Sequence, residues 1–250
     1  MRVLYHPSND PRVTEFNLMI AKKFPHLLKE NNPELILVAG GDGTMLSNIT
    51  AYHKYEVPFF GIAKGTLNFL LNHVEDDEKV IEDLLHDRVN LFVLHGKSIS
   101  VRKNIQPLGF AVNEVVVGDS INGYHQFCIT TLDKSFENFI LLGAGLCVST
   151  AIGSTGYNFN NGGPVIPTNE NVWAMTDIVC NRNINDLISA QEIMINSKSS
   201  VNVFIDGQKS ATLHQRDVLH LETGPTIELA FLSKDQFIKQ RIELSHRSRG

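Results

Sequence analysis

Leu35–Ser47 reads LILVAGGDGTMLS: an apolar run, a glycine-rich turn and the start of an amphipathic segment. Leu35 to Ala39 is short, apolar and partly β-branched, the composition of a strand buried in a parallel sheet. Gly40, Gly41 and Gly43 around Asp42 let the backbone turn sharply and bring its N–H groups close to a ligand. Thr44 and the turn after it offer a helix N-terminus, a natural phosphate site. A carboxylate among phosphate-binding glycines has two uses: it holds Mg²⁺ on the phosphates, or it accepts the proton of an attacking hydroxyl. The plainer alternative is a β–α turn in which Asp42 caps the helix.

Upstream, Arg2–Tyr5 reads as a short strand. Pro11–Glu30 carries Val13, Phe16, Ile20, Phe24, Leu27 and Leu28 at helical spacing, and Asn31-Asn32-Pro33 ends that helix. Downstream, a helix is expected over Thr44–Tyr55, a strand over Val57–Ile62, and a helix over Asp76–Arg88 with Val80, Ile81, Leu84 and Leu85 inward. Alternating strands and helices imply a mostly parallel sheet with ligand at the carboxyl ends of its strands. The Val57–Ile62 strand runs into Ala63–Leu70, AKGTLNFL, a second loop leaving the same edge. Lys64 in this loop is either a phosphate contact or a solvated lysine.

From about Asn90 the pattern changes to short alternating or β-branched runs: Leu91–Leu94, Ser98–Arg102, Ala111–Val117, His125–Leu132, Phe139–Leu142, Gly145–Ser149, Val201–Ile205, Val218–Leu221 and Thr226–Phe231. Turn residues separate them, so this half is expected to be all-β. The division that follows is a domain at 1–89, a second at 90–235 and a tail at 236–250 that can return to the first, with an active site between the two domains. Three constellations in the β half carry chemistry. Asn113-Glu114 is a polar pair within AVNEVVV; neighbours on a strand face opposite sides, so at least one faces the interior or a cleft, where ribose hydroxyls or a neighbouring loop serve as partners. Gly145–Pro164, GLCVSTAIGSTGYNFNNGGP, is dense in glycine, hydroxyls and amides; Tyr157 can stack on a base while Ser154 and Thr155 supply hydrogen bonds. Asp206-Gly207 is a hairpin turn and reads as mostly structural.

Composition narrows the field. With 250 residues and 42% hydrophobic content, the chain can bury one large core or two modest ones. A formal net charge of −5 argues against nucleic-acid or membrane-surface binding, which needs a basic face. Cys128, Cys147 and Cys180 form no CxxC pair, so neither a zinc site nor a disulfide framework is indicated, and a reducing cytoplasm is the simplest setting. MRVLYHPSNDP lacks a signal pattern and no apolar run is long enough to span a bilayer. The histidines are scattered, without HxH or HxxxH spacing.

GGDGT at 40–44 resembles the nucleotide loop shared by the NAD kinases, the diacylglycerol and sphingosine lipid kinases and, more distantly, the phosphofructokinases. AKGTLNFL is similar to the NAD kinase segment NxGxxGFL, with Gly65, Phe69 and Leu70 in step. Lys64 adds a cation, and Asn68 stands where the family has glycine; asparagine's tolerance of left-handed backbone angles lets the turn survive. Asn113-Glu114 before an apolar run resembles the family's NE pair. Gly145–Pro164 resembles DG-x-x-x-ST-P-(S/T)-GSTAY-x-x-SAGGP, matching at Gly145, Ser149, Thr150, Gly153, Ser154, Thr155, Tyr157, Gly162, Gly163 and Pro164. Ala144 replaces the family's aspartate, Ala151-Ile152 its Pro-Ser or Pro-Thr, Gly156 its alanine and Asn160-Asn161 its Ser-Ala. Asp206-Gly207-Gln208 matches DGQ, whereas Cys180–Leu187 does not show the family's His-x-Leu-x-x-Arg-Pro segment. The likeness runs from Leu35 to about Leu221.

This resemblance implies an α/β + β fold: an N-terminal Rossmann-like α/β domain carrying the GGDGT loop and a C-terminal all-β domain, as in the NAD and diacylglycerol kinases. It implies transfer of the γ-phosphoryl of ATP to the 2′-hydroxyl of the adenosine ribose of NAD. Asp42 would be catalytic, and Gly41, Gly43, Thr44 and Lys64 would hold the phosphates of ATP. Phe69, Asn113, Glu114, Ser154, Thr155, Gly156 and Tyr157 would bind NAD, with Asn113 and Glu114 at the ribose, Thr155 and Tyr157 at the adenine and Phe69 as a wall. Mg²⁺ or another divalent cation is the implied cofactor, with Asp42 its candidate ligand. The partners are NAD and ATP, with no nucleic acid and no membrane, in a homodimer or homotetramer. Two alternatives are an NAD kinase-like small-molecule or lipid kinase, which shares GGDGT, and a nucleotide-binding relative whose acceptor is altered at Ala144.

Overall fold

The computed structural model describes residues 1–65, 68–118, 123–168, 170–235 and 237–239. Thr66 and Leu67 of the AKGTLNFL loop, and residues 236 and 240–250 of the expected tail, lie outside the described residues. Met1–His95 with the chain from Ile227 onward forms one compact unit, and Gly96–Thr226 forms another.

In the first unit β1 (Val3–Tyr5), β2 (Leu35–Gly40) and β3 (Phe59–Ala63) pair in parallel in that order. All six residues of β2 are buried, as a central parallel strand requires. The returning strand Leu219–Phe231 lies parallel to β3, with Leu229 opposite Phe59 and Ala230 opposite Phe60. Three helices cover this sheet: α1 (Thr14–Lys23), α2 (Asp42–Tyr52) and α3 (Asp77–Leu85). The core joins Val13, Phe16, Ile20, Phe24 and Leu27 to Leu35, Leu37, Phe60 and Ile62, with Ile81 and Leu84 from α3.

Helix boundaries differ from the expectation: α2 ends at Tyr52 and α3 at Leu85, short of Tyr55 and Arg88, and the larger departures lie in the first helix and at the start of α2. The segment expected as one helix over Pro11–Glu30 is a 3-10 turn at Pro11–Val13, then α1, then a second 3-10 turn at Pro25–Lys29. Phe24 breaks it at φ −130°, ψ 47°, because the ring of Pro25 crowds the helical conformation of the residue before it. Helix α2 starts at Asp42 and not at Thr44: Gly41 is the extended N-cap, so Asp42, Gly43 and Thr44 form the first turn.

The second unit is antiparallel. Its strands are β4 (Phe92–Lys103), β5 (Gln106–Ala111), β6 (Glu114–Gly118), β7 (His125–Thr131), β8 (Phe139–Ser149), β9 (Val172–Cys180), β10 (Asn185–Ser189), β11 (Glu192–Ser197), β12 (Val201–Ile205), β13 (Gln208–Leu213) and β14 (Leu219–Phe231), β4 and β14 each running on from the first unit. The order is β14-β11-β7-β8-β6-β12-β13; β9 pairs with β8, β10 with β9, and β4 with β5. Trp173, Phe127, Leu146, Val115 and Val203 lie in its core. A single helical turn, α4 (Tyr157–Asn160), interrupts the strands.

Several expected pairs of short strands are single long ones: β4, β8 and β14 run straight through Gly96, Gly143 and Gly224. These glycines mark close approach and not turns. A Cβ at Gly143 would lie 2.1 Å from Cys180 Sγ, and one at Gly224 would lie 2.5 Å from Ser98 Oγ. The reverse holds for Ala111–Val117, expected as one strand, which breaks at Val112-Asn113 between β5 and β6.

One side chain fastens the returning strand to the first unit. Buried Asn72 donates through Nδ2 to the carbonyls of Gly61 (3.0 Å) and Ala230 (3.1 Å), and its Oδ1 accepts the N–H of Leu232 (2.9 Å). Asn72→Ala removes three hydrogen bonds at once, while Gly61 O keeps the backbone N–H of residue 72 (2.8 Å); a cost of about 2–4 kcal/mol is expected in chemical denaturation, the scale of several buried hydrogen bonds lost together.

Candidate active site

The expected residues gather in two clusters, one in each unit. In the first unit, β2 ends at Gly40, whose φ of +153° suits glycine alone; a Cβ there would also lie 2.6 Å from Thr44 Oγ1, so Thr44 packs back on the turn. Met45 N–H to Gly41 O (3.1 Å) is the first helical bond, which leaves the N–H groups of Asp42, Gly43 and Thr44 ahead of it at the positive end of the helix dipole. Among the described residues Gly43 has no neighbour within 4 Å of where a Cβ would stand.

Asp42 does not cap its own helix. Its carboxylate reaches the loop after β3, accepting Phe69 N–H at 3.0 Å and Leu70 N–H at 2.9 Å. Burial raises its proton affinity and the two N–H groups offset part of that rise, so the net shift is upward. A carboxylate of this kind takes a proton more readily than an exposed one. Phe69 contributes its backbone N–H to this arrangement. Asn68 holds the same loop through its side chain: its buried amide donates to Gly65 O at 2.7 Å.

Lys64, expected at the phosphates, turns to Asp77 (2.5 Å) and lies 5.6 Å above the ring of Phe16. The cation at the glycine turn is Arg12, which no feature of the sequence marks. A Cβ at Gly65 would lie 3.1 Å from its Nη1, and one at Gly41 would lie 3.8 Å from its Nη2.

In the second unit the Val112-Asn113 break is held from both sides. Asp206 Oδ2 accepts Val112 N–H (2.9 Å), and its Oδ1 accepts the N–H groups of Asn113 (2.8 Å) and Glu114 (3.2 Å). Thr150 donates its hydroxyl to Val112 O (2.6 Å) and its N–H to Asn113 O (2.8 Å). Gly153 presses against the break; a Cβ on it would lie 2.3 Å from the Cα of Asn113. In the sequence Asp206 reads as a hairpin residue. Asp206 and Gly207 do have φ of +47° and +76°, as the expected two-residue turn requires, but the carboxylate also sets the whole break.

What this scaffold presents is a pair of buried acceptors. Asn113 Oδ1 and Glu114 Oε2 have no hydrogen-bond partner among the described residues, a costly state unless a ligand supplies donors. Gly156 and Tyr157 border Glu114: a Cβ at Gly156 would lie 3.4 Å from Oε2, and Tyr157 N–H donates to the carboxylate. Burial, and then the charge of Asp206, push the Glu114 carboxyl up to about 7, while the Tyr157 N–H pulls the other way. Tyr157 is exposed and Thr155 buried. Ser154 is buried, donating to Ala151 O (2.9 Å) and accepting Ile166 N–H (2.9 Å), so its hydroxyl fastens the loop. Ala144 is buried within β8.

For a divalent cation, each oxygen of Asp42 keeps a lone pair beyond its N–H partner, which fits Mg²⁺ arriving on phosphate oxygens and taking few protein ligands. Among the described residues the group of three or more His, Cys or carboxylate ligands is Glu192, His220 and Glu222, where Arg102 already sits 2.6 Å from Glu222 and 3.7 Å from Glu192.

A glycine turn opening a helix with an aspartate in its first turn, together with a β unit offering buried acceptors to hydroxyls, defines a nucleotide-dependent phosphotransferase. Models of the ATP-NAD kinase N-terminal and C-terminal domains match residues 17–89 and 92–231. The chain belongs to the NAD kinase family. The NAD kinase of Rickettsia canadensis is 29% identical over 235 residues, 88% of each chain. Yeast NADH kinase, solved in complex with NADH, superposes with a TM-score of 0.79 at 17% identity, over 98% of this chain and 87% of its own. An NAD kinase from Archaeoglobus fulgidus, solved in complex with ATP, gives 0.72 at 20% identity, over 98% of this chain and 97% of its own. At these identities the two structures show a common fold.

The raised carboxyl of Glu114 has a definite sign in stability. The folded state holds that proton more tightly than the unfolded chain, so the contribution is complete below pH 4.5 and is lost as pH rises through about 7. Glu114→Gln removes it. The variant is expected to gain on the parent in melting temperature as pH goes from about 4 to 8, by roughly 2–4 °C for each kcal/mol involved, as measured by a thermal melt across that range.

Proposed function

We propose that this chain carries out the family's reaction with Asp42 as its base, moving the γ-phosphoryl of ATP to the 2′-hydroxyl of the adenosine ribose of NAD. The observation that carries this reading is the half-buried Asp42 carboxylate, tied by two N–H groups at the end of a parallel strand and followed by the open first turn of α2. The phosphates of ATP rest on the N–H groups of Gly41, Gly43 and Thr44. The ribose oxygen attacks the γ-phosphorus; a new O–P bond forms as the bond to the β-phosphate oxygen breaks, and ADP leaves with the bonding pair. The hydroxyl proton passes to Asp42, whose burial raises its affinity for it. A divalent cation bound to the phosphates supplies charge neutralisation.

Asn113 Oδ1 and Glu114 Oε2 accept from ribose hydroxyls, which relieves two unpaired buried groups. Thr155 and Tyr157 serve the adenine, Phe69 walls the nucleotide, and Gly156 leaves space beside Glu114. Ser154 acts by holding this loop. The three free cysteines suit a reducing cytoplasm. The assembly is read as a homodimer or homotetramer from the family to which the chain belongs.

The test is transfer from Mg-ATP to NAD, with the product read by an NADP-specific dehydrogenase. Parent protein is expected to form product and Asp42→Asn to lose about 10²–10⁴ in rate, the range of a general base. Full transfer by Asp42→Asn would remove the assigned role.

A further inference from the structure

The first unit carries a second charged residue at the glycine turn, one that the reaction as described does not use. Asp10 caps the 3-10 turn Pro11–Val13, accepting Arg12 N–H at 3.0 Å. The same carboxylate takes one edge of the Arg12 guanidinium: Nε lies 3.0 Å from each oxygen and Nη2 2.5 Å from Oδ2. Main chain and side chain of Arg12 are therefore oriented by one group. The opposite edge, led by Nη1, faces Gly41 and Gly65, and Nη1 has no hydrogen-bond acceptor among the described residues. The side chain remains 54% exposed, so a ligand can reach it.

We infer that Arg12 is a phosphate-binding residue, its guanidinium clamping the terminal phosphates of the donor against the Gly41–Thr44 turn. This rests on the reading of that turn as the phosphate site. A phosphate on the open N–H groups of α2 needs a cation beside it, and Lys64 is occupied by Asp77. Guanidinium offers five donors in a planar fork; with Asp10 on one edge, the other still makes paired bonds to phosphate oxygens. An exposed ion pair such as Asp10–Arg12 does little for stability, so its geometry has its use in aiming the free edge. Glycine at 65 keeps the approach to Nη1 clear, since a Cβ there would lie 3.1 Å from it.

Arg12→Ala and Arg12→Lys test this, beside the parent and Asp42→Asn, with steady-state kinetics in Mg-ATP and in NAD, and calorimetric binding of inorganic tripolyphosphate without NAD. Arg12→Ala is expected to lower kcat/KM for ATP by about 10-fold or more, the loss of a charge-assisted pair. Its KM for NAD and its melting temperature should stay close to the parent's, and its tripolyphosphate affinity should fall in parallel. Arg12→Lys should recover only part, because an ammonium restores charge without the fork. Values for Arg12→Ala within about twofold of the parent in both assays, while Asp42→Asn is inactive, overturn the role of Arg12 and leave the proposed function standing. If the parent neither binds tripolyphosphate nor transfers phosphoryl, the phosphate-site reading fails and this inference with it.

Discussion

A carboxylate that accepts consecutive backbone N–H groups from a distant loop is the constraint on which both clusters depend. Asp42 does this to Phe69 and Leu70, and Asp206 does it to Val112, Asn113 and Glu114. In each case a turn that has left its strand would otherwise have unpaired N–H groups, and one buried acidic side chain satisfies several of them. The arrangement fixes the loop by hydrogen bonding in an interior where such bonds are strong, and where an unmade bond is expensive. Gly153 against Asn113, and Thr44 against Gly40, complete the two turns by contact.

The same burial that makes these pins firm also sets the chemistry. Asp42, Glu114 and Asp206 are all shifted toward holding a proton, with desolvation the first cause in each. Asp206 compensates with three N–H donors and Asp42 with two, whereas one oxygen of Glu114 has none among the described residues. Asn113 Oδ1 and Glu114 Oε2 are thus two buried acceptors at consecutive positions of the break that have no partner among the described residues, and hydroxyl donors from a ligand would relieve that cost.

Local chemistry in the sequence was enough for the Leu35–Ser47 unit, because glycine, apolar runs and helical spacing act on neighbouring residues. It was enough as well for the β character of the second half. It placed the start of α2 two residues late because the N-cap is Gly41, which offers no side-chain oxygen to mark it. The break in AVNEVVV was hidden for a different reason: apolar alternation continues across it, and the group that makes it, Asp206, lies more than ninety residues away. Lys64 and Arg12 show the same limit for charge. A cation in a loop sequence does not reveal which carboxylate it faces, and here Asp77 takes the nearer lysine while Asp10 aims the more distant arginine.

Strand β14 belongs to both units: Leu219–Leu221 pair with β11, and Leu229 and Ala230 pair with β3. The first unit's sheet therefore lacks its last strand until the whole β unit has been synthesised. On the ribosome the strand-and-helix half emerges first but cannot close its hydrogen-bond ladder, and Phe59 and Phe60 wait with an open edge for residues made some 170 positions later. Maturation of the nucleotide turn is in this way timed by translation of everything that follows it, and no cut between the units yields a first half with its full sheet.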